Sequence, residues 1–142
     1  MRVSPTSKRW IIGGLLATGF LAAGYVYLGR ESGPTPIVPV VPELSASAQR
    51  GAERFAAVCA ICHGVNGAGT DQGPPLIHPF YNPGHHNDQS FLSAMSGVRQ
   101  HHWTFGDMPP QPQISVSDAK SITRFIREVQ EANGITFQPH NM

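Results

Sequence analysis

Apolar residues recur at helical spacing in three stretches of the chain, and no stretch makes a convincing strand. The first stripe is Ala48, Gly51/Ala52, Phe55 and Val58/Cys59, with Ser45 or Ser47 placed to cap its start. The second is Phe91, Leu92, Met95 and Val98, behind a cap at Asp88 and with Gly97 near its end. The third is Ile122, Phe125, Ile126 and Val129, capped at Ser117 with Asp118 in its first turn and stopped by Asn133-Gly134. Gly67, Gly69 and Gly73-Pro74-Pro75-Leu76 predict a loop after the first helix, and Gln100 to Ile114 a second one. The expectation is one all-α domain over residues 44–134, of three to four helices, followed by a tail over 135–142.

Upstream the pattern changes. From Trp10 to Gly29 no residue is charged, and twenty helical residues at about 1.5 Å each cover about 30 Å, the thickness of a bilayer core. Trp10 at one end and Tyr25 and Tyr27 at the other sit where interfacial aromatics belong. Arg2, Lys8 and Arg9 predict a cytoplasmic N-terminus over residues 1–9, which puts everything after residue 29 outside. The rival reading is a cleaved export signal, with Ala22-Ala23-Gly24 as the small residues at the cut. The run continues through Tyr-Val-Tyr-Leu, longer than export requires, and favours a retained transmembrane anchor. Residues 30–43 then carry prolines at 34, 36, 39 and 42, which hold the backbone extended as a spacer of up to about 40 Å.

Composition narrows the function classes. The formal charge of +1 over 142 residues is set by the three cations ahead of the apolar run. From Arg30 onward seven Lys and Arg stand against nine Asp and Glu, so no basic face is offered to nucleic acid. Only two cysteines occur, in Cys59-Ala60-Ile61-Cys62-His63. A structural zinc site would need four ligands, and no second Cys pair or His pair follows at finger spacing. A redox-active Cys-x-x-Cys would sit after a strand, whereas an Ala/Arg/Glu-rich helical segment precedes Cys59. Two thiols three positions apart with a histidine next to the second is the spacing for covalent haem attachment, one thiol to each vinyl group, with His63 as axial ligand.

The helix, the Cys-x-x-Cys-His pentapeptide, Gly73-Pro74-Pro75-Leu76 and Met108-Pro109 ahead of a terminal helix together resemble class I cytochrome c, over about Leu44 to Ala132. The resemblance implies one covalently bound haem c at Cys59, Cys62 and His63. It implies that the first and last helices cross at a small residue with aromatic packing, at Gly51, Phe55 and Phe125. It also implies that the Pro74 carbonyl accepts the second imidazole N–H of His63, that Leu76 packs on the haem, and that Met108 is the distal iron ligand. A thioether there fills the sixth position and favours reduced iron. Met95 lies on the apolar face of the second helix and reads as core, and Met142 falls in the tail. His101 and His102 share the loop with Met108 and are the competing donors. An anchor and linker of this kind are common additions among bacterial members, so the haem domain is expected on the periplasmic side of the cytoplasmic membrane.

Seven histidines, four of them paired as His85-His86 and His101-His102, depart from a plain small cytochrome. Loop histidines in water are the simple account. Two pairs brought together by the fold would instead suit copper, although adjacent residues of an extended loop point apart. Trp103, Phe105, Pro109 and Pro110 offer an apolar rim for a redox partner, or a cover for the haem. The expected function is one-electron transfer, as a carrier or as the electron-transfer subunit of an oxidoreductase. The alternatives are an open-site haem protein, peroxidase or gas binder, and a metal-binding module built on the histidine pairs.

Overall fold

Gly51 decides how the domain is assembled. In the computed structural model, which describes residues 38–98 and 105–139, it lies where helix α1 (Ala46–Val58) crosses helix α4 (Val116–Ala132). A Cβ at Gly51 would collide with the carbonyl of Ser121, so the two backbones touch. One turn further on, Phe55 and Phe125 pack with ring centroids 5.4 Å apart, tilted by 54°. Tilted aromatic pairs add to plain area burial. Between the two comes helix α2 (Ala60–His63), a single turn continuing from α1, and α3 (Asp88–Met95) packs on α4 from the other side. The described residues contain no strand, as expected of an all-α fold.

The third stripe is as expected: Ile122, Phe125, Ile126 and Val129 are all buried. Its cap is two residues earlier than the expected Ser117. Ser115 accepts from the Asp118 N–H at 3.1 Å, and the Asp118 carboxylate accepts back from the Ser115 N–H at 3.2 Å. That reciprocal pair satisfies two orphan donors, which Ser117 inside the first turn could not do. Likewise Asn87 and not Asp88 caps α3, accepting from Ser90 N–H at 3.0 Å, and Asp88 becomes the first helical residue. Helix α3 stops at Met95, and Gly97 turns the chain at φ 82°. Val98 therefore leaves the apolar face of which it was expected to be part and is 72% exposed.

Both ends of the described domain are tied down, the incoming one to α4 and the residue that caps its C-terminus. The Asn133 side chain accepts from Val40 N–H at 3.0 Å and donates to the Val40 carbonyl at 2.8 Å. Ser45 donates its N–H and its hydroxyl to Glu128, at 2.9 and 2.7 Å. The proline-rich segment, expected to run free to residue 43, is tied down from Val40. At the other end Ile135 is buried, and Gln138 N–H donates to Asn82 Oδ1 at 3.3 Å, so residues 135–139 lie against the domain and do not trail from it. The expected anchor at 10–29 and Met142 lie outside the described residues. Among the described residues no helix is long and apolar enough to cross a membrane.

Glu128 makes the Ser45 clasp pH-sensitive. Burial pushes its carboxyl up, but the two Ser45 donors and Arg124, 2.6 Å away, outweigh that and hold it below the usual 4.5. A carboxylate lowered by folding stabilises the folded state above its unfolded value, and that contribution is lost as pH falls through the folded one. Glu128→Gln is expected to reduce unfolding free energy at pH 7, with the gap to the parent closing below about pH 4.5. A gap that stays constant down to pH 3, in denaturant unfolding at stepped pH, would show that the carboxylate charge is not what holds Ser45.

Candidate cofactor site

The pentapeptide acts as one helical turn. Cys59 ends α1 and begins α2, and its carbonyl accepts from Cys62 N–H at 3.1 Å and His63 N–H at 2.9 Å. Positions i, i+3 and i+4 of a helix share a face, so Cys59, Cys62 and His63 turn to one side while Ile61 is 75% exposed on the other. All three line a cavity of about 840 Å³. Neither cysteine is in a disulfide. Burial, with Cys62 adding and Arg54 partly offsetting, pushes the Cys59 thiol up to about 11, so it is held as a thiol at neutral pH.

His63 is buried and its ring is fixed. Nδ1 lies 2.9 Å from the Pro74 carbonyl, which can only accept, so Nδ1 carries the proton and Nε2 keeps its lone pair. Burial lowers its basicity, against the raising effect of the Pro74 bond, and holds the ring neutral. A neutral imidazole oriented from behind by a carbonyl is a ready metal ligand. The loop that brings Pro74 to it is drawn tight: Thr70 donates its hydroxyl to the Cys62 carbonyl at 2.5 Å, and a Cβ on Gly73 would come within 2.9 Å of that same oxygen. Leu76 follows, buried in the cavity wall, its N–H on the Gly67 carbonyl at 2.8 Å.

Met108 lines the same cavity from the second loop, which is pinned when Gln111 N–H donates to the Met95 carbonyl at 2.8 Å. Met95 reaches the cavity too, but as a buried core residue of α3. Phe105 and Pro109 also line it, and Pro109 and Pro110 are exposed. Phe55, Phe91, Ile122 and Ile126 supply apolar wall, while Gln72, Asn87 and Asp107 are among the polar residues that line it. Two thiols, one neutral imidazole and a thioether around an apolar hollow within the usual roughly 300–1,000 Å³ of a cofactor site fit the haem that the motif spacing predicts.

His85 and His86 line the cavity as well, with their rings 4.6 Å apart and packed on Phe80 and Tyr81. His86 Nδ1 is 3.0 Å from the Phe80 carbonyl. His101, His102 and Trp103 lie outside the described residues, and among the described ones no group of three metal-ligating side chains occurs.

One residue behind the wall escaped sequence reasoning. Gln130 is fully buried; its Nε2 donates to the carbonyls of Leu76 at 2.9 Å and Tyr81 at 3.1 Å, and its Oε1 accepts from Arg127 at 2.7 Å. It thereby ties α4 to the segment whose Pro74 carbonyl orients His63. The signal was Gln130 at i+4 from Ile126, on the buried stripe, where an amide reads as the solvated edge of the helix.

The family model described as cytochrome c matches residues 48–130, more than half of the chain. No curated protein and no solved structure matches it.

Gln130→Leu leaves the Leu76 carbonyl without its side-chain donor inside the core and is expected to cost about 1–3 kcal/mol in denaturant unfolding. Glu131→Leu, on the exposed side of the same helix, is the control, expected within about 0.5 kcal/mol of the parent. Equal effects from the two would dismiss Gln130 as a tie.

Proposed function

Because the chain belongs to the cytochrome c family and so carries covalently attached haem c for electron transfer, we propose that it is a one-electron carrier with His63 and Met108 as axial ligands. It works at the outer face of the cytoplasmic membrane, held by Trp10–Gly29, as a free carrier or as the electron-transfer subunit of an oxidoreductase. One observation carries the ligand assignment: Cys59, Cys62, His63 and Met108 line a single apolar cavity.

The haem supplies a one-electron couple at its iron. The rest falls to the chain. Cys59 and Cys62 would hold the group by thioether bonds, each thiol adding across one vinyl group. His63 would offer Nε2 to the iron, its ring oriented by the Pro74 carbonyl at Nδ1–H. Met108 would offer a soft, neutral sulfur, a donor that favours the reduced state and competes with oxygen or peroxide for the iron. Phe55, Leu76, Phe91, Ile122 and Ile126 present apolar surface to the cavity. A site whose ligands are held in both oxidation states needs little rearrangement for transfer, and this favours a carrier over an open-site peroxidase or gas binder.

Met108→Ala is expected to abolish the long-wavelength sulfur-to-ferric-iron absorption band and to let the ferrous protein bind carbon monoxide. An unchanged band would remove Met108 as ligand in favour of Met95, the other thioether in the cavity wall, and a parent protein without the band would point to the neighbouring loop histidines. The anchor is tested separately: the mature protein should stay with membranes through a high-salt wash and be released on deleting residues 10–29, and release of the intact chain by salt alone would refute it.

A further inference from the structure

Arg127 stands out as a charge that the proposed mechanism does not use. It projects from α4 with its side chain only 13% exposed. Its Nε donates to Asp88 Oδ1 at 2.8 Å, Nη1 to the Tyr81 carbonyl at 2.9 Å and to Gln130 Oε1 at 2.7 Å, and Nη2 to the His86 carbonyl. The guanidinium carbon lies 4.8 Å from the centre of the Phe91 ring. Tyr81, His86 and Phe91 all line the cavity, so Arg127 sits one side-chain layer behind its wall. Arginine keeps its charge at any pH the protein meets.

We propose that Arg127 tunes the reduction potential of the haem from behind the wall, as a fixed positive charge whose counter-ion faces water. The inference rests on the family's haem-based electron transfer and not on the identity of the sixth ligand. An electron arriving at the iron removes one positive charge, so a cation nearby favours the reduced form. Asp88 is the opposing charge, but its side chain is 72% exposed. Water and salt weaken the field of an exposed charge far more than that of a buried one. The pair therefore does not cancel at the cavity, and its net effect there is positive. Asp88 holds the guanidinium in place, and Tyr81 and His86 aim it, while their carbonyls satisfy its donors without neutralising it.

A charge acting through space and a mechanical clasp make opposite predictions, because breaking a clasp from either side loosens the wall in the same way. The test is a mediated redox titration of the intact, haem-loaded protein at low ionic strength. Arg127→Met is expected to lower the potential and Asp88→Asn to raise it. Each should change the reduced-to-oxidised ratio at fixed ambient potential severalfold, up to about tenfold, equivalent to about 59 mV for one electron. Arg127→Lys keeps the charge but loses the fork, and is expected to stay near the parent. If Arg127→Met does not accumulate with haem, the other two variants decide the matter. Potentials that move the same way in Arg127→Met and Asp88→Asn, no rise in Asp88→Asn, or a fall in Arg127→Lys as large as in Arg127→Met would each overturn the proposal. The absorbance test of Met108 is independent of all three.

Discussion

The contact between Gly51 and the Ser121 carbonyl is the constraint on which the rest depends. With no side chain between them, α1 and α4 approach backbone to backbone, and the Phe55–Phe125 pair locks the angle. The angle aims the end of α1, and the end of α1 is where Cys59, Cys62 and His63 leave the helix as a single turn. A wider crossing would carry those residues away from the wall formed by Ile122 and Ile126. The cavity is therefore a product of helix packing, and the loops complete a shape the two helices have already begun.

Helix α4 is unusual in how many tasks its seventeen residues hold. Ile122, Phe125, Ile126 and Val129 supply the core. Gln130 on that same buried stripe, and Arg127 beside it, reach to the loops that line the cavity. Glu128 takes the incoming chain, together with Asn133, which caps the helix just beyond its end. A helix surface divided in this way couples distant segments, since any rotation of α4 that improved one set of contacts would spoil the other two. Rigidity of that kind suits a centre whose ligands must not move when its charge changes.

How much of this was legible depended on the range of the interaction. The core stripe of α4 could be read because helical periodicity is local, and so could the Cys59-Cys62-His63 face, which needs only one turn. Caps were harder: Ser115 and Ser117 both precede acidic or polar partners, and only the reciprocal bond with Asp118 separates them. Val98 misled because its spacing continued a helix that Gly97 had already ended. Gln130 and Arg127 were invisible in function because their partners are backbone carbonyls some fifty residues away, and carbonyls leave no trace in a sequence. Ile135 and Gln138 were taken for a tail because nothing local says that Asn82 waits for them. The rings of His85 and His86 pack on Phe80 and Tyr81.

The Asn133 clasp has a mechanical meaning. A pull arriving along the chain at Val38 meets the two bonds between Val40 and Asn133 first, and they carry it together because both belong to one side chain and one residue. The Ser45–Glu128 pair lies next in line. Both attachments must give way before force reaches the first turn of α1, and that turn is still some ten residues from Cys59. Load is thus delivered into the far end of α4, by bonds that can break and re-form. Tension on the incoming segment is spent there, and Cys59, Cys62 and His63 do not feel it.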